Sequence, residues 1–393
     1  MEGWLSEAQV LLPHLVYWRR HLHQYPELSF EERETQHFIL TELSKLSDIR
    51  LKKAAGTGVI ADLVTDPQGP WVALRADMDA LPLEETGDRS YRSKRPGVMH
   101  ACGHDAHTAI LLGVAYLLWK HQEKWRGGVR LIFQPAEEKA PGGASLMIQE
   151  GVLQEVPIKA IWGLHVTPQL PVGRVGLRAG PFMAASDEIH INLRSCGGHG
   201  AYPHLAPDPI VVGAYMISQM QAIVSRAADP RNPTVLTFGT FQAGSAPNII
   251  PTEAYIAGTL RTFEETWREK AKTLIYAIAS HTAQTWGIEA SIEFSPGYPV
   301  LVNHPSLTQW TRKHLEALLG EGAVEELPLW MSSEDFAFYG QQVPACFIRL
   351  GTAGESEDTK RPVHTNAFDI DERALAFGVA ILTHIALNFL NEA

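Results

Sequence analysis

Three histidines, a cysteine and an aspartate stand within residues 99–107, directly before an apolar helical pattern. Cys102 and His104 are two positions apart around a glycine, so both side chains can turn the same way where the helix starts. Thiolate and imidazole are ligands that zinc and other late divalent ions favour. Two other interpretations fit this segment by itself. Asp105 could cap the helix above an inert, buried thiol, or Cys102 could be a nucleophile beside a histidine base.

Further polar side chains follow short apolar runs of the kind that form buried strands. Glu137 and Glu138 come after the run at 129–133, and His165 ends the run at 160–166. In open α/β sheets the functional crevice lies beyond the carboxyl ends of the strands, so these side chains can converge there. His364 lies in a polar loop before the last helical pattern. A solvated glutamate pair and a buried core histidine are the plain alternatives.

Together these segments provide a set of five candidate metal ligands: Cys102, His104, Glu138, His165 and His364. One ion takes three or four protein ligands, whereas five ligands, one of them bridging, suit two ions about 3.5–4 Å apart. A metal lowers the pKa of its bound water to roughly 7. Glu137 stands outside the ligand set and can move a proton. The pattern indicates metal-assisted hydrolysis of an acyl bond. Zinc is expected first, because thiolate ligation is soft, and manganese, cobalt and nickel are the alternatives.

Four more residues refine this hypothesis. Asp77 and Asp79 follow the run at 71–74 and can accept the second N–H of metal-bound histidines, unless they belong to a solvated turn. His199 stands in a glycine-rich turn at 195–201. Asn248 and Arg261 supply an amide and a guanidinium, and arginine suits recognition of a carboxylate. For these last three a structural role is the plain alternative.

The elements that must position these residues alternate in the first part of the chain. Apolar runs at 58–64, 71–74, 129–133 and 160–166 are separated by helical patterns, which predicts an α/β fold with a mostly parallel sheet between helices. A capping box at 29–32 predicts a helix start. Residues 187–294 show a β-α-β-β-α-β order, which is typical of a ferredoxin-like unit. We therefore predict a larger domain at 1–184 and 296–393 and an inserted α+β domain at 185–295.

Composition excludes several classes of protein. The chain has 393 residues, of which 45% are hydrophobic and 20% charged, so it can build two or three folded domains. Its net charge of −11 disfavours nucleic-acid binding. Three cysteines provide no disulfide framework, and the first residues show no secretory pattern. No stretch approaches 18 uncharged apolar residues, so neither a membrane span nor a membrane partner is expected. These features predict a cytoplasmic protein.

The motifs resemble those of the dinuclear-metal amidohydrolases, a family of bacterial N-acyl-amino-acid amidohydrolases (aminoacylases), hippurate hydrolases, related carboxypeptidases and plant indoleacetyl-amino-acid hydrolases. The likeness extends over nearly the whole chain. It comprises Arg-Arg-His-Leu-His at 19–23, Pro-Glu-Leu at 26–28, Leu-Arg-Ala-Asp-Met-Asp-Ala-Leu-Pro at 74–82, His-Ala-Cys-Gly-His-Asp at 100–105, Gln-Pro-Ala-Glu-Glu at 134–138, Gly-Gly-His-Gly-Ala at 197–201, Ala-Pro-Asn at 246–248, Ser-Glu-Asp-Phe at 333–336, and His364.

This resemblance implies a zinc-peptidase-like catalytic domain with two metal ions on the five ligands named above, and an inserted lid domain through which a homodimer or higher homo-oligomer forms. It implies that Glu137 is the general base and acid. His199 is implied to stabilise the oxyanion, and Asn248 and Arg261 to hold the substrate carboxylate. Ser195 and Cys196 stand where a Gly-Lys pair often precedes the lid turn in the family.

We therefore predict hydrolysis of N-acyl-L-amino acids to a carboxylic acid and an amino acid. A metallo-carboxypeptidase or dipeptidase that cleaves short peptides is the alternative within the same chemistry. A non-catalytic protein with a metal-stabilised fold is a further alternative, although a binding protein has no need of a general base such as Glu137.

Overall fold

The computed structural model describes residues 3–392, excepting the side chain of Pro296. The helices are α1 (Gly3–Gln24), α2 (Arg33–Leu43), α3 (His104–Lys120), α4 (Gly143–Gln149), α5 (Pro209–Ala222), α6 (Glu265–Thr285), α7 (Pro305–Leu319), α8 (Ala337–Gly340) and α9 (Arg373–Glu392). The strands are β1 (Arg50–Ala54), β2 (Gly58–Val64), β3 (Trp71–Asp77), β4 (Gly128–Gln134), β5 (Ile158–Pro171), β6 (Val175–Leu177), β7 (Gly180–Met183), β8 (Ala185–Arg194), β9 (Gly198–His199), β10 (Thr234–Ala243), β11 (Ile249–Ile250), β12 (Glu253–Thr262), β13 (Glu289–Pro296), β14 (Leu301–Asn303), β15 (Val324–Glu326) and β16 (Ala345–Ala353).

The chain divides into two compact units. The first comprises residues 1–180, 302–328 and 335–393, and the second comprises 181–301 and 329–334. The sequence-based boundaries were 184/185 and 295/296, so the division observed lies four residues earlier at one end and six residues later at the other. The short return at 329–334 had no signal in the sequence, because it contains neither a helical nor a strand pattern.

The first unit is built on an eight-stranded sheet in the order β1-β2-β4-β3-β5-β16-β6-β15. The pairs β4–β3, β3–β5, β5–β16 and β6–β15 are parallel, and the remaining pairs are antiparallel. Strands β3 and β4 are buried along their whole length, which requires cover on both faces and explains their continuous apolar runs. The predicted α/β fold with a central, mostly parallel sheet flanked by helices is therefore confirmed.

Helices α1, α3 and α9 pack on one another, and α3 and α9 pack on this sheet. Gly113 of α3 permits the close approach, since a β-carbon there would lie 2.6 Å from Leu15 and 2.7 Å from Val379. Helix α3 is buried on nearly all sides, which fixes its first turn, with His104 in it and Cys102 two residues before it, relative to the strands.

Helix α9 is the one helix in the described part of the chain that is long and apolar enough to cross a bilayer. Its 17-residue uncharged run at 374–390 comes close to the length that the sequence analysis regarded as absent. In the structure 72% of its most apolar window is buried, and it packs against α1 and α3. It is accordingly a core helix of the first unit.

The second unit has the predicted β-α-β-β-α-β order, from β8 through α5, β10, β12 and α6 to β13. Its four strands form an antiparallel sheet in the order β10-β12-β8-β13. Strand β8 alternates buried and accessible residues, and its apolar side chains Ile189, Ile191 and Leu193 belong to the core shared with α5 and α6. Helix α5 ends at Ala222, and a π-helical turn follows at Ile223–Ala227.

Candidate metal centre

The carboxyl ends of β3 and β4 and the start of α3 provide most of the site in the first unit. Asp77 is the last residue of β3, and the loop 135–138 follows β4. His165 lies within β5 instead of ending it, as the sequence had suggested. Because β3 pairs with β5 only as far as Gly163, His165 nevertheless stands beyond the paired part of that strand. The structure thus brings all five predicted ligands together.

Cys102 is the centre of this group. Its Sγ lies 3.3 Å from Nε2 of His165 and 3.3 Å from Nε2 of His364. Potential ligand atoms of Cys102, His104 and His165 lie within 4.8 Å of one another, and so do those of Cys102, Glu138 and His364. Cys102 belongs to both groups, which is the arrangement that a bridging ligand requires.

The histidines are oriented through their other ring nitrogens. His165 donates from Nδ1 to the carbonyl of Val166 at 2.7 Å, so Nε2 keeps its lone pair towards Cys102. His104 donates from Nδ1 to Asp79 at 3.1 Å. The backbone N–H of His364 donates to Ala101 at 2.8 Å, which ties its loop to the segment of Cys102. Such contacts fix the tautomer and the direction of a metal ligand.

Burial governs the electrostatics of this cluster. It raises the pKa of the Cys102 thiol, and the Glu138 carboxylate adds to that effect. Burial also lowers the pKa of His165 well below its ordinary value, and the Arg349 charge acts in the same direction. Hydrogen bonds to Cys102 and Glu138 raise the pKa of His364 to about 10. A buried thiol surrounded by imidazoles and carboxylates becomes a thiolate most readily when a cation is present.

Asp79 holds two parts of the centre together. It is 1% exposed, and its Oδ1 accepts from Nδ1 of His104 and from the backbone N–H of Glu137. Its Oδ2 accepts from the N–H of Glu138 at 3.0 Å and from the hydroxyl of Ser29 at 2.6 Å. The interpretation of Asp79 as a solvated turn residue was therefore wrong.

Asp77 was also predicted to accept from a metal-bound histidine, but it accepts from His107, which is not one of the five predicted ligands. Asp77 is fully buried, accepts from Nδ1 of His107 at 2.5 Å and lies 3.7 Å from Nε2 of His104. Nε2 of His107 accepts from the backbone N–H of Val166, the residue after His165. His107 thus links the end of β3 to the middle of β5, a role that the sequence analysis did not assign.

The predicted capping box at 29–32 is incorrect. Helix α2 begins at Arg33, and the Glu32 side chain makes no capping bond to it. Glu27 instead accepts from the N–H of Glu34 and of Thr35. The Ser29 hydroxyl donates to Asp79, so both polar residues of the supposed box are used elsewhere.

Two buried ion networks surround the centre and were missed. Arg75 bonds to Asp77 at 2.6 Å and to Asp335 at 2.8 Å, and Gln134 joins the same group. Arg19 of α1 bonds to Asp105 at 2.8 Å. The motif residues were visible in the sequence, but their partners lie 86 and 260 positions away, and no local pattern encodes such separations.

The three remaining predicted residues belong to the second unit. His199 and Asn248 are both exposed and adjacent: His199 pairs with Ile249 between β9 and β11, and the N–H of Gly200 donates to the carbonyl of Asn248. Arg261 is half-buried on β12 and donates to Thr259 and Ser333, which are neutral. Within this unit, then, His199 and Asn248 form one group and Arg261 another.

The side chains present fit a pair of divalent ions. Nε2 of His104 is buried and has no hydrogen-bond partner among the described residues, while it lies 4.0 Å from Oε1 of Glu138. An orphaned imidazole nitrogen is costly in a buried site unless a ligand satisfies it. One thiolate, three imidazoles and one carboxylate match the donors that late divalent metals prefer.

Comparison with known proteins identifies the family. Residues 73–388 match the sequence pattern of Peptidase family M20/M25/M40. The chain belongs to this family. It is 41% identical over 362 residues to the N-acetyl-L-cysteine deacetylase of Bacillus subtilis (strain 168), covering 92% of this chain and 84% of that protein. It is also 39% identical to the IAA-amino acid hydrolase ILR1-like 5 of Arabidopsis thaliana, covering 99% of this chain and 89% of the relative.

A solved structure agrees with the sequence comparison. A dinuclear metal binding peptidase of the M20 family from Bacillus subtilis superimposes with a TM-score of 0.83 and 33% identity, over 98% of this chain and 99% of that one. The M20 family assignment confirms the predicted resemblance and shows that the chain is a hydrolase. It also agrees with the candidate ligand clusters of the first unit, without naming their metal.

Proposed function

We propose that this M20 hydrolase cleaves the amide bond of N-acyl-L-amino acids and releases a carboxylic acid and an amino acid. The observation that carries the proposal is the pair of ligand groups that share Cys102, with Glu137 beside one of them. Potential ligand atoms of His104, Glu137 and Glu138 lie within 4.8 Å of one another. We further propose that zinc is the metal, since the shared donor is a thiolate.

Divalent ions, when bound, polarise an amide carbonyl and make water acidic enough to lose a proton near neutral pH. The chain itself supplies the proton transfer. Glu137 takes a proton from the attacking water as the new C–O bond forms, and gives it to the amide nitrogen as the C–N bond breaks. Glu137 is 6% exposed, and its backbone N–H donates to Asp79, so its starting position is defined.

The local geometry of the second unit supports the assigned substrate contacts. Arg261 makes no ion pair among the described residues, and burial lowers the pKa of its guanidinium. A half-buried arginine whose hydrogen-bond partners are neutral is suited to a carboxylate ligand. His199 accepts from the N–H of Ala201 at Nδ1, which places its ring proton on Nε2, where it can donate to an oxyanion. We assign Asn248, which stands beside His199, to the same substrate.

Two relatives favour acyl amino acids over peptides. N-acetyl-L-cysteine and an amide of an amino acid are named in the descriptions of the Bacillus and Arabidopsis proteins. The alternative is a carboxypeptidase or dipeptidase, which the description of the Bacillus structure as a peptidase favours. Both substrate classes contain an amide bond next to a carboxylate, so the proposed site chemistry serves either.

A substrate panel with two matched variants tests the proposal. Acetyl-, benzoyl- and indoleacetyl-amino acids are compared with dipeptides at equal concentration, and we expect the acyl amino acids to have the higher kcat/KM. Glu137→Gln should keep both metal ions and lose at least 100-fold in kcat, whereas Glu138→Gln should lose metal as well. Faster cleavage of dipeptides would favour the peptidase, and full activity of Glu137→Gln would refute the assigned base.

A further inference from the structure

Three consecutive backbone amides in the loop after β4 each donate to a buried carboxylate. The N–H of Glu137 and that of Glu138 donate to the two oxygens of Asp79. The N–H of Ala136 donates to Oε1 of Glu32 at 2.9 Å. Glu32 therefore binds the residue immediately before the proposed base, from a different part of the chain.

Ala136 is the residue at which this loop needs support. Its φ is +50°, in the left-handed region that residues with a β-carbon rarely occupy. Its carbonyl accepts from the N–H of Gly143 at 3.0 Å. A β-carbon on Gly143 would lie 1.8 Å from the carbonyl oxygen of Pro135, so the backbone is closely packed here. Such strained backbone persists only where surrounding contacts over-determine it.

The hydrogen bonds of the Glu32 side chain to other residues lie outside the helix that it precedes. It immediately precedes α2 but makes no side-chain bond to that helix, whose first amides are capped by Glu27. Its side chain is completely buried, and Oε2 accepts from the hydroxyl of Thr57 at 2.5 Å. Burial raises the pKa of Glu32 to about 7, and the nearby Asp79 charge adds to this. The fold thus tolerates a costly buried acid, which accepts hydrogen bonds from the Thr57 hydroxyl, from the Ala136 amide and from its own backbone N–H.

We propose that Glu32 is a positioning residue for hydrolysis, which holds Ala136 in its left-handed conformation and thereby aims the Glu137 carboxylate. The proposal rests on the proposed function, in which Glu137 transfers the proton. Glu32 touches neither substrate nor metal ligand side chains, so its effect must pass through the backbone of 136. A displaced base slows proton transfer more than it weakens substrate binding.

The experiment compares Glu32→Ala, Glu32→Gln and the control Glu27→Ala in the metal-loaded protein. Glu27 is also a buried carboxylate that accepts backbone amides, but it does not contact the loop 134–138. We expect Glu32→Ala to lose at least 10-fold in kcat with KM changed less than 3-fold and two metal ions retained. Glu32→Gln should keep kcat within 3-fold, because the amide oxygen can accept from Ala136 while its nitrogen donates to Thr57. Glu27→Ala should lower stability and leave kcat within 3-fold.

A glycine at position 136 tests whether the effect of Glu32 on kcat passes through the backbone of that residue. Glycine adopts positive φ without steric cost, so Ala136→Gly should reduce the loss in kcat caused by Glu32→Ala. Equal losses in both backgrounds would show that Glu32 does not act through Ala136 and would overturn the proposal. So would a Glu32→Ala enzyme with the same kcat as Glu27→Ala.

Hydrogen exchange separates this inference from the proposed function. Peptides that cover 134–138 should exchange at least 10-fold faster in Glu32→Ala than in wild type and remain protected in Glu27→Ala. If the wild-type protein cleaves no substrate in the panel, the proposed function fails. Faster exchange of residues 134–138 in Glu32→Ala would still show that Glu32 holds this loop in place. Unchanged exchange of residues 134–138 in Glu32→Ala would refute this role of Glu32, whatever the activity of the variant.

Discussion

Replacing Asp79 by asparagine should weaken metal binding without unfolding the protein. Asp79 accepts four hydrogen bonds, two at each oxygen. Asparagine has one oxygen and one NH₂ group in place of the two carboxylate oxygens. Two of the four groups that donate to Asp79 must therefore face the NH₂ group, which cannot accept from them. The less costly orientation keeps the oxygen towards His104 and Glu137 and turns the NH₂ towards Glu138 and Ser29. The Ser29 hydroxyl can then rotate to accept, and the N–H of Glu138 alone is left without a partner.

The expected loss in metal affinity follows from the one N–H, that of Glu138, which is left without an acceptor. A buried donor that loses its acceptor costs about 1–3 kcal/mol. Since Glu138 is a proposed ligand, a displacement of its backbone reduces metal affinity directly. A cost of about 2 kcal/mol corresponds to roughly 30-fold weaker binding, which lies within the 10–100-fold typical of residues that orient metal ligands.

The assay is a competition titration of metal-free protein with Zn²⁺ and a chelator of known affinity. Asp62→Asn is the matched control, because Asp62 binds Arg130 through both oxygens at 2.8 and 2.7 Å, on the same sheet and outside the centre. Ser29→Ala should change metal affinity less than 3-fold. If Asp79→Asn binds Zn²⁺ as tightly as Asp62→Asn does, Asp79 supports only the fold and the reasoning is refuted.

Three further outcomes are expected. Dialysis against a chelator should abolish turnover, and added divalent ions should restore it, whereas indifference to the chelator would favour a Cys102 nucleophile. Arg261→Lys should raise KM for acyl amino acids about 10-fold with little change in kcat, because lysine loses the guanidinium geometry; an unchanged KM would contradict the carboxylate assignment. Burial would raise the pKa of Asp369, but the charge of Arg19 and the Tyr91 hydroxyl outweigh it and lower that pKa. Stability from Asp369 is therefore present above about pH 4 and lost as the pH falls below it. Asp369→Asn should cost about 1–3 kcal/mol in urea unfolding at pH 7, and less at pH 3.

The strands and the ligand set could be predicted because their signals are local. A strand buried on both faces requires a continuous apolar run, and the runs at 58–64 and 129–133 match β2 and β4 within one residue. The residue types that bind late transition metals are few, and the polar residues that follow such runs belong to one edge of a parallel sheet. This combination placed Glu138 in the candidate ligand group before its distances were known, whereas His165 joined that group although it lies within β5 and does not end it.

The capping-box error shows where local reasoning fails. Ser29 and Glu32 have the correct types and spacing to cap a helix, and sequence alone offers no competitor for them. In the fold, the Ser29 side chain bonds to Asp79 and the Glu32 side chain bonds to the Ala136 amide, and both partners are 50 or more positions away. A local motif predicts a local bond only when no buried partner competes for the same group.

The buried network of Arg19 explains why a histidine- and arginine-rich motif occurs in α1, far from the ligands in sequence. Asp105 follows His104 in the first turn of α3, and its Oδ2 accepts from both Arg19 and His23. These bonds, with the charge of Arg19, hold the pKa of Asp105 far below its usual range despite its burial. An ionised carboxylate inside a protein persists only when it is paired and hydrogen-bonded. Helix α1 thus supplies the hydrogen-bond donors that allow α3 to begin with an acid beside a candidate metal ligand, and the motif at 19–23 contacts the candidate centre through Asp105.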